Sequence, residues 1–171
     1  IGNNVTSIGD YAFQSCSSLA NVVIPDSLTS IGDYAFENCY SLSSIVIPDS
    51  ITSIGSHTFQ GCYSLSSIII PDSVTNIGPY AFRYCYSLSS IMFPENITHI
   101  ENYTFHSCSS LSSIIIPHSV TKIGNYAFYS CPNLTEVEFG NSVAKIGDGA
   151  FGYCGLETIT LPATVEVLGK N

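Results

Sequence analysis

Basic side chains are nearly missing from this chain: Arg83, Lys122, Lys145 and Lys170 stand against thirteen Asp and Glu, a net charge of −9. A phosphate backbone demands a stripe of Lys and Arg, so nucleic acid is excluded as a ligand, and an anionic membrane surface with it. Charge of either sign is scarce at 10% of residues, while 45% are hydrophobic. That balance excludes a disordered polyelectrolyte and supplies a packed core. Long apolar runs are also lacking: the longest candidates are segments such as 67–70, closed by Pro71, far short of the ~20 residues that a bilayer-spanning helix needs. There is no Gly-rich phosphate loop and no serine-hydrolase elbow.

What the chain does contain is a repeat. Ile8, Ile31, Ile54, Ile77, Ile100, Ile123 and Ile146 recur with a constant period, and so do seven phenylalanines from Phe13 to Phe151 and all seven cysteines from Cys16 to Cys154. Leu19, Leu42, Leu65, Leu88, Leu111 and Leu134 form a fourth column, continued by Leu156 after a one-residue deletion. Within a unit, Ile45 and Ile47 have the two-residue period of a short strand. Pro48 stops it, as Pro25, Pro71, Pro94, Pro117 and Pro162 do elsewhere, because proline cannot donate to a continuing ladder. Asp-Ser after the proline is turn chemistry. Gly at 9, 32, 55, 78, 124 and 147 predicts a second bend with positive φ, with Glu101 in the equivalent place. The i, i+3 spacing of Phe36 and Cys39 predicts one helical or 3₁₀ turn. A unit this short cannot bury these side chains alone. Units must therefore stack, strand parallel to strand at ~4.8 Å, giving about seven coils and a rod roughly 30 Å long.

Each feature that suggests chemistry has a plainer structural reading. Seven cysteines, one to each unit, offer no tetrahedral metal cluster. Stacking gives them parallel Cβ vectors, which do not bridge, so buried free thiols are expected. Asp26, Asp49, Asp72 and Glu95, continued by His118 and Asn141, place one carboxylate on each coil, as a turn does; calcium needs six to eight oxygens. His57, His99, His106 and His118 fall in different columns. Asn4, Asn96, Asn102 and Asn133 begin Asn-x-Ser/Thr triplets, about as many as chance supplies, which leaves glycosylation open. No catalytic residue, metal or cofactor is expected.

The outward face of the strands is more informative. If Leu42, Ile45 and Ile47 point inward, Ser44 and Val46 point out. Stacking then sets a serine column (Ser44, Ser67, Ser90, Ser113) beside an apolar one (Val23, Val46, Ile69, Met92, Ile115), which gives way to Glu138 and Thr160. Tyr40, Tyr63 and Tyr86 lie next to the strand starts. Rigid Tyr beside small Ser is paratope-like composition, and an outward apolar strip is a candidate binding patch.

The pattern Leu-x-x-Ile-x-Ile-Pro-x-Ser-Val-Thr-x-Ile-Gly-x-x-Ala-Phe-x-x-Cys, as it stands in Leu111 to Cys131, resembles the BspA-like class of leucine-rich repeats over essentially the whole chain. The resemblance implies a right-handed leucine-rich-repeat solenoid of about seven 23-residue coils. Short parallel strands would line its concave face, with loops and short helical or 3₁₀ turns on the convex side. It implies an extracellular or cell-surface microbial protein whose concave sheet and rim bind a protein or glycoprotein of host or neighbouring cells. A structural spacer projecting another domain is the alternative. Residues 1–171 are expected to form one leucine-rich-repeat domain, excerpted from a longer repeat protein. Its first coil, with a neighbour on one side only, is expected to be the less protected end and a point of self-association.

Overall fold

A computed structural model describes residues 1–170 of the chain. It is a parallel β-solenoid of about seven coils, built from twelve very short strands. Eight form one column: β1 (Ser7–Ile8), β2 (Ser30–Ile31), β4 (Ser53–Ile54), β6 (Asn76–Ile77), β7 (His99–Ile100), β9 (Lys122–Ile123), β11 (Lys145–Ile146) and β12 (Val167–Leu168). The other four, β3 (Ser44–Val46), β5 (Ser67–Ile69), β8 (Ser113–Ile116) and β10 (Glu136–Phe139), lie just before the corner that proline makes in most coils. Every pairing is parallel, and the register is the sequence period itself: Ile8 faces Ile31, Ile45 faces Ile68 and Ile115 faces Glu138. At the last coil Ile146 faces Leu168, one position short of the full period, so the deletion is absorbed without loss of register.

The interior follows from the columns. Leu42, Ile45, Ile47, Phe59, Cys62, Leu65 and most of their equivalents are buried. The seven Phe rings form one continuous stack, with centroids 5.2–5.6 Å apart and planes within 12° of parallel. Offset stacking of this kind adds about 0.5–1.5 kcal/mol per pair beyond area burial. The cysteines are all free. From Cys39 onward each thiol donates to the carbonyl of the Phe one coil back, at 3.1–3.3 Å. A small polarizable group that is also a weak donor suits a position that must fill space and bond a buried carbonyl.

On the side opposite β3, the chain turns tightly without forming a helix among the described residues. The i, i+3 spacing of Phe and Cys reflects isolated closures such as Cys39 N to Phe36 O. A helical turn is prevented because two residues per coil are left-handed. One column comprises Tyr11, Tyr34, His57, Tyr80, Tyr103, Tyr126 and Gly149; the other comprises Ser15, Asn38, Gly61, Tyr84, Ser107, Ser130 and Tyr153, all with φ between 55° and 72°. A left-handed L residue costs roughly 1–2 kcal/mol. The conformation aims the amide along the stacking axis, where Tyr34 N donates to Ser56 O at 3.0 Å and Asn38 N to Gln60 O at 2.7 Å.

The expected glycine bend is thereby corrected. Of the glycines, Gly61 and Gly149 alone have φ in the left-handed range, so the column at 9, 32, 55, 78, 124 and 147 has another cause. A Cβ on Gly124 would sit 2.6 Å from the amide nitrogen of Asn102 and 2.7 Å from the carbonyl carbon of Glu101. The coil below leaves no room for it. Beside this column runs a ladder of short polar side chains: Asp33 N donates to Asp10 Oδ1, Ser56 N to Asp33 Oδ1, Asn125 N to Asn102 Oδ1 and Asp148 N to Asn125 Oδ1, at 2.7–2.9 Å.

One coil breaks both strand columns. Pro79 stands in the polar ladder with no N–H to donate, and Glu101 stands in the glycine column. The eight-strand column splits twice, between β2 and β4 and between β6 and β7, and the second split falls at this coil. Bonds that recur as Thr75 N to Thr52 O and Gly78 N to Ile54 O have no counterpart from Thr98 or Glu101 here, nor from Thr52 or Gly55 at the other split, among the described residues. In the same coil Ser90–Phe93 makes no strand, leaving β5 and β8 without a partner between them. The turn side runs through intact, with Phe59 N to Ala81 O and Phe82 N to Thr104 O both 2.9 Å.

Both ends of the stack are open. In the first coil Phe13 and Leu19 are half-buried and Ala12 and Cys16 exposed; at the other end Phe151 and Cys154 are half-buried, Ala150 is buried, and Val167 and Leu168 are exposed.

Two outcomes follow. Gly124→Ala should lose about 1–3 kcal/mol in urea unfolding through overpacking, whereas Gly9→Ala, whose new methyl meets nothing within 4 Å, should be neutral or stabilising by about 0.4–1 kcal/mol; equal effects would remove the close-approach explanation. Burial first, and then the neighbouring thiol, pushes Cys39 up to about 11 and Cys131 up to about 12. Burial alone pushes Cys154 up to about 11. Iodoacetamide at pH 8 should therefore modify exposed Cys16 first and half-buried Cys154 next, and reach Cys62, Cys85, Cys108 and Cys131 only on unfolding. Rapid native modification of those four would contradict the burial.

Candidate binding face

Alternation along the strands sets this face. In Ser44–Val46 the burial runs exposed, buried, exposed, and Ser67–Ile69 repeats it. Stacking lines up the outward side chains. Val23 (77% exposed), Val46 (67%), Ile69 (70%), Met92 (83%) and Ile115 (64%) form a continuous apolar strip across five coils, with exposed Ser44, Ser67, Ser90 and Ser113 beside it. Isolated apolar residues on a surface are ordinary; a contiguous row is the informative pattern.

Tyr40, Tyr63 and Tyr86 flank the serine row. Their centroids are 4.6 and 4.9 Å apart, and each ring is about two-fifths exposed. Burial, then the neighbouring Tyr40 and Tyr86, raises the phenol of Tyr63, so it stays a neutral donor at physiological pH. On the other flank, past the corner, Asp26, Asp49, Asp72 and Glu95 are all exposed. Among the described residues no three of His, Cys, Asp and Glu converge as a metal site would require.

The broken coil shapes the middle of the strip. Two clefts open on either side of Met92. One, of about 280 Å³, lies between Ser67–Ile70 and Ser90–Phe93 and reaches Asp72; the other, of about 230 Å³, lies between Ser90–Phe93 and Ser113–Ile115 and reaches Glu95. In the inward column Phe93 replaces the Ile of neighbouring coils and meets Phe105 edge-on at 5.5 Å.

A second aromatic row was missed by sequence reasoning. Tyr11, Tyr34, His57, Tyr80, Tyr103 and Tyr126 stack in succession on the turn side at 4.3–5.0 Å. The signal was present, since these residues share the register of the repeat, but only tyrosines beside strand starts suggested a surface. Their ring faces are spent on one another. Burial lowers the pKa of His57 against the opposing pull of Glu37 and Asp33, as befits a neutral ring in a stack. Arg83 lies over Tyr84 at 4.4 Å, and buried Glu37 accepts from Gln14 Nε2 at 2.6 Å and Gln60 Nε2 at 2.7 Å. These contacts hold coils together.

Three of the four Asn-x-Ser/Thr asparagines are likewise engaged: Asn96 Nδ2 donates to Asp72 O, Asn133 Nδ2 to Ser109 O, and Asn102 Oδ1 accepts from Asn125 N. Among the described residues no helix is long and apolar enough to cross a membrane.

Other proteins share this architecture. The chain is similar to the solved structure of a leucine-rich repeat protein from Bacteroides ovatus, at 37% identity and a TM-score of 0.77, over 96% of this chain and 49% of that one. It is similar to the leucine-rich repeat protein of T. pallidum, at 34% identity and a TM-score of 0.78, over 84% of this chain and 67% of that one. A leucine-rich cell surface protein from Faecalibacterium prausnitzii is 28% identical, with a TM-score of 0.69, over 99% of this chain and 52% of that one. The chain thus spans about half the length of two of these three. No curated protein matches. The family model for the BspA type leucine-rich repeat region matches residues 1–108 and 54–171 in six copies. With that match spanning the chain, and with its columns seated in the register the repeat requires, the protein belongs to the BspA-type leucine-rich repeat family.

Proposed function

We propose that this domain is a non-enzymatic binding module of a surface or secreted microbial protein, engaging a protein or glycoprotein through its strand face and tyrosine rim. The observation that carries this reading is the exposed row from Val23 to Ile115, five apolar side chains left uncovered by a fold that buries its other large aliphatic columns. Sheet preference accounts for Val and Ile in strands, but it does not account for Tyr40, Tyr63 and Tyr86 lining the same edge. A rigid platform carrying aromatic and apolar anchors beside small polar groups suits protein recognition. The cell-surface description of the Faecalibacterium relative supports a location outside the cell.

Catalysis has little support here. The clefts beside Met92 are lined mainly by Ile, Met and Phe, with Ser and one carboxylate each, whereas an active site needs several polar groups converging on one point. A spacer role draws on the unbroken turn-side ladder, which stiffens the rod along its axis; it predicts that changes on the strand face alter nothing.

The test is binding of the wild type, Tyr63→Ala and Ile69→Glu to a panel of purified extracellular-matrix and epithelial surface proteins. Both substitutions are exposed and should leave unfolding unchanged. Ile69→Glu is expected to weaken the captured interaction about 30-fold or more, as a central anchor should, and Tyr63→Ala by a smaller factor. Equal affinity of all three proteins would reject this face and favour the spacer.

A further inference from the structure

The charges are not spread evenly, and their placement specifies the partner. All four basic residues lie away from the strip: Arg83 on the turn side, Lys122 and Lys145 in β9 and β11, and Lys170 at the end. The strip is bordered instead by Asp26, Asp49, Asp72 and Glu95, one carboxylate per coil beside Val23, Val46, Ile69 and Met92. Its far end runs into Glu136 and Glu138, both exposed on β10. Such a field selects a cationic partner and raises its rate of encounter.

Spacing selects the partner's shape. Along this face the coils repeat at 4.6–4.9 Å, as the Tyr40, Tyr63 and Tyr86 rings show. An extended segment laid along the stacking axis repeats its side chains on one face every ~6.7 Å and falls out of step within two coils. An α-helix repeats every turn, ~5.4 Å, with neighbours at i, i+3 and i+4 on one side. Over four coils its accumulated mismatch is only about 2 Å. The carboxylates follow the apolar column by three residues, just past the proline corner, a reach of at most about 10 Å that stays within the width of a helix.

We propose that the strand face binds a basic amphipathic helix of a protein partner, lying along the solenoid axis. It sets one apolar residue per turn on Val46, Ile69, Met92 and Ile115, and Lys or Arg on its flank over Asp26, Asp49, Asp72 and Glu95. The clefts on either side of Met92 receive its largest apolar side chains. This inference rests on the strand face being the binding surface, and the experiment separates the two claims.

The probes are three synthetic helical peptides with the same Leu face, their flanks carrying Lys, Glu or Gln, titrated by fluorescence anisotropy. A Lys peptide with its helix broken by central prolines serves as a control. The Lys helix is expected to bind at least about tenfold tighter than the Glu helix and to weaken about tenfold on raising salt to ~0.5 M. Affinity should fall with Asp49→Asn/Asp72→Asn/Glu95→Gln, and separately with Ile69→Ser/Met92→Ser. If all three helices bind alike and lose affinity with Ile69→Ser/Met92→Ser, the strand-face reading stands and the basic partner is wrong. If the Lys helix binds but ignores Ile69→Ser/Met92→Ser, diffuse charge is responsible and both claims fail. Equal binding by the proline-broken peptide overturns the helical geometry, and no binding by any peptide overturns the proposal.

Discussion

Everything in this molecule depends on one coil seeing a copy of itself one period further along the chain. A single coil has too little interior to close, so its Phe, Leu, Ile and Cys gain a packed environment only from the equivalent residues above and below. The Phe ladder at 5.2–5.6 Å and the thiol-to-carbonyl bonds are that dependence at atomic scale. It explains why the period tolerates so little: an inserted residue would displace a ring from the stack and leave the Phe carbonyl below without its second donor. It also explains why strained backbone is retained. Two left-handed residues in each coil turn amides onto the next coil, and the bonds so formed offset the cost.

The columns that face inward were readable from the sequence because burial leaves little chemical choice: Phe36, Phe59 and Phe82 had to be Phe at one depth in one stack. The outward strip was readable for a related reason, since alternation fixes Val46 and Ile69 once Ile45 and Ile68 are placed. Backbone conformation was not readable. Left-handed φ at Tyr34 or Tyr80 has no residue signature, because Tyr is not a residue from which positive φ is inferred, and the glycine column invited the opposite assignment. Gly124 is glycine because Asn102 and Glu101 lie beneath it, a contact between neighbouring coils that no local rule reports. Pro79 and Glu101 were visible as two departures from the consensus, but where strand pairing lapses was not readable, since the column also splits between β2 and β4, where Asp33 and Gly55 keep the pattern.

That break connects stability to binding. The coil that forfeits strand pairing on both columns is the one that carries Met92, the most exposed apolar side chain of the strip, and it opens a cleft on each side. Regular coils present a smooth ridged surface; a departure from regularity supplies concavity without an inserted loop. The turn side keeps its full set of bonds through the same coil, so the relief is local to the strand face and the rod stays continuous.

Hydrogen exchange measured amide by amide tests this account most directly, because it reads coil-to-coil bonding one position at a time. The amides of Ile91 to Phe93, Thr98 and Glu101 should exchange faster than their equivalents at Ile68 to Ile70, Thr75 and Gly78, while Phe59, Phe82 and Phe105 share one high level of protection. Uniform protection of all these positions would contradict a solenoid held by repeated coil-to-coil bonds and opened in both strand columns at the coil of Met92.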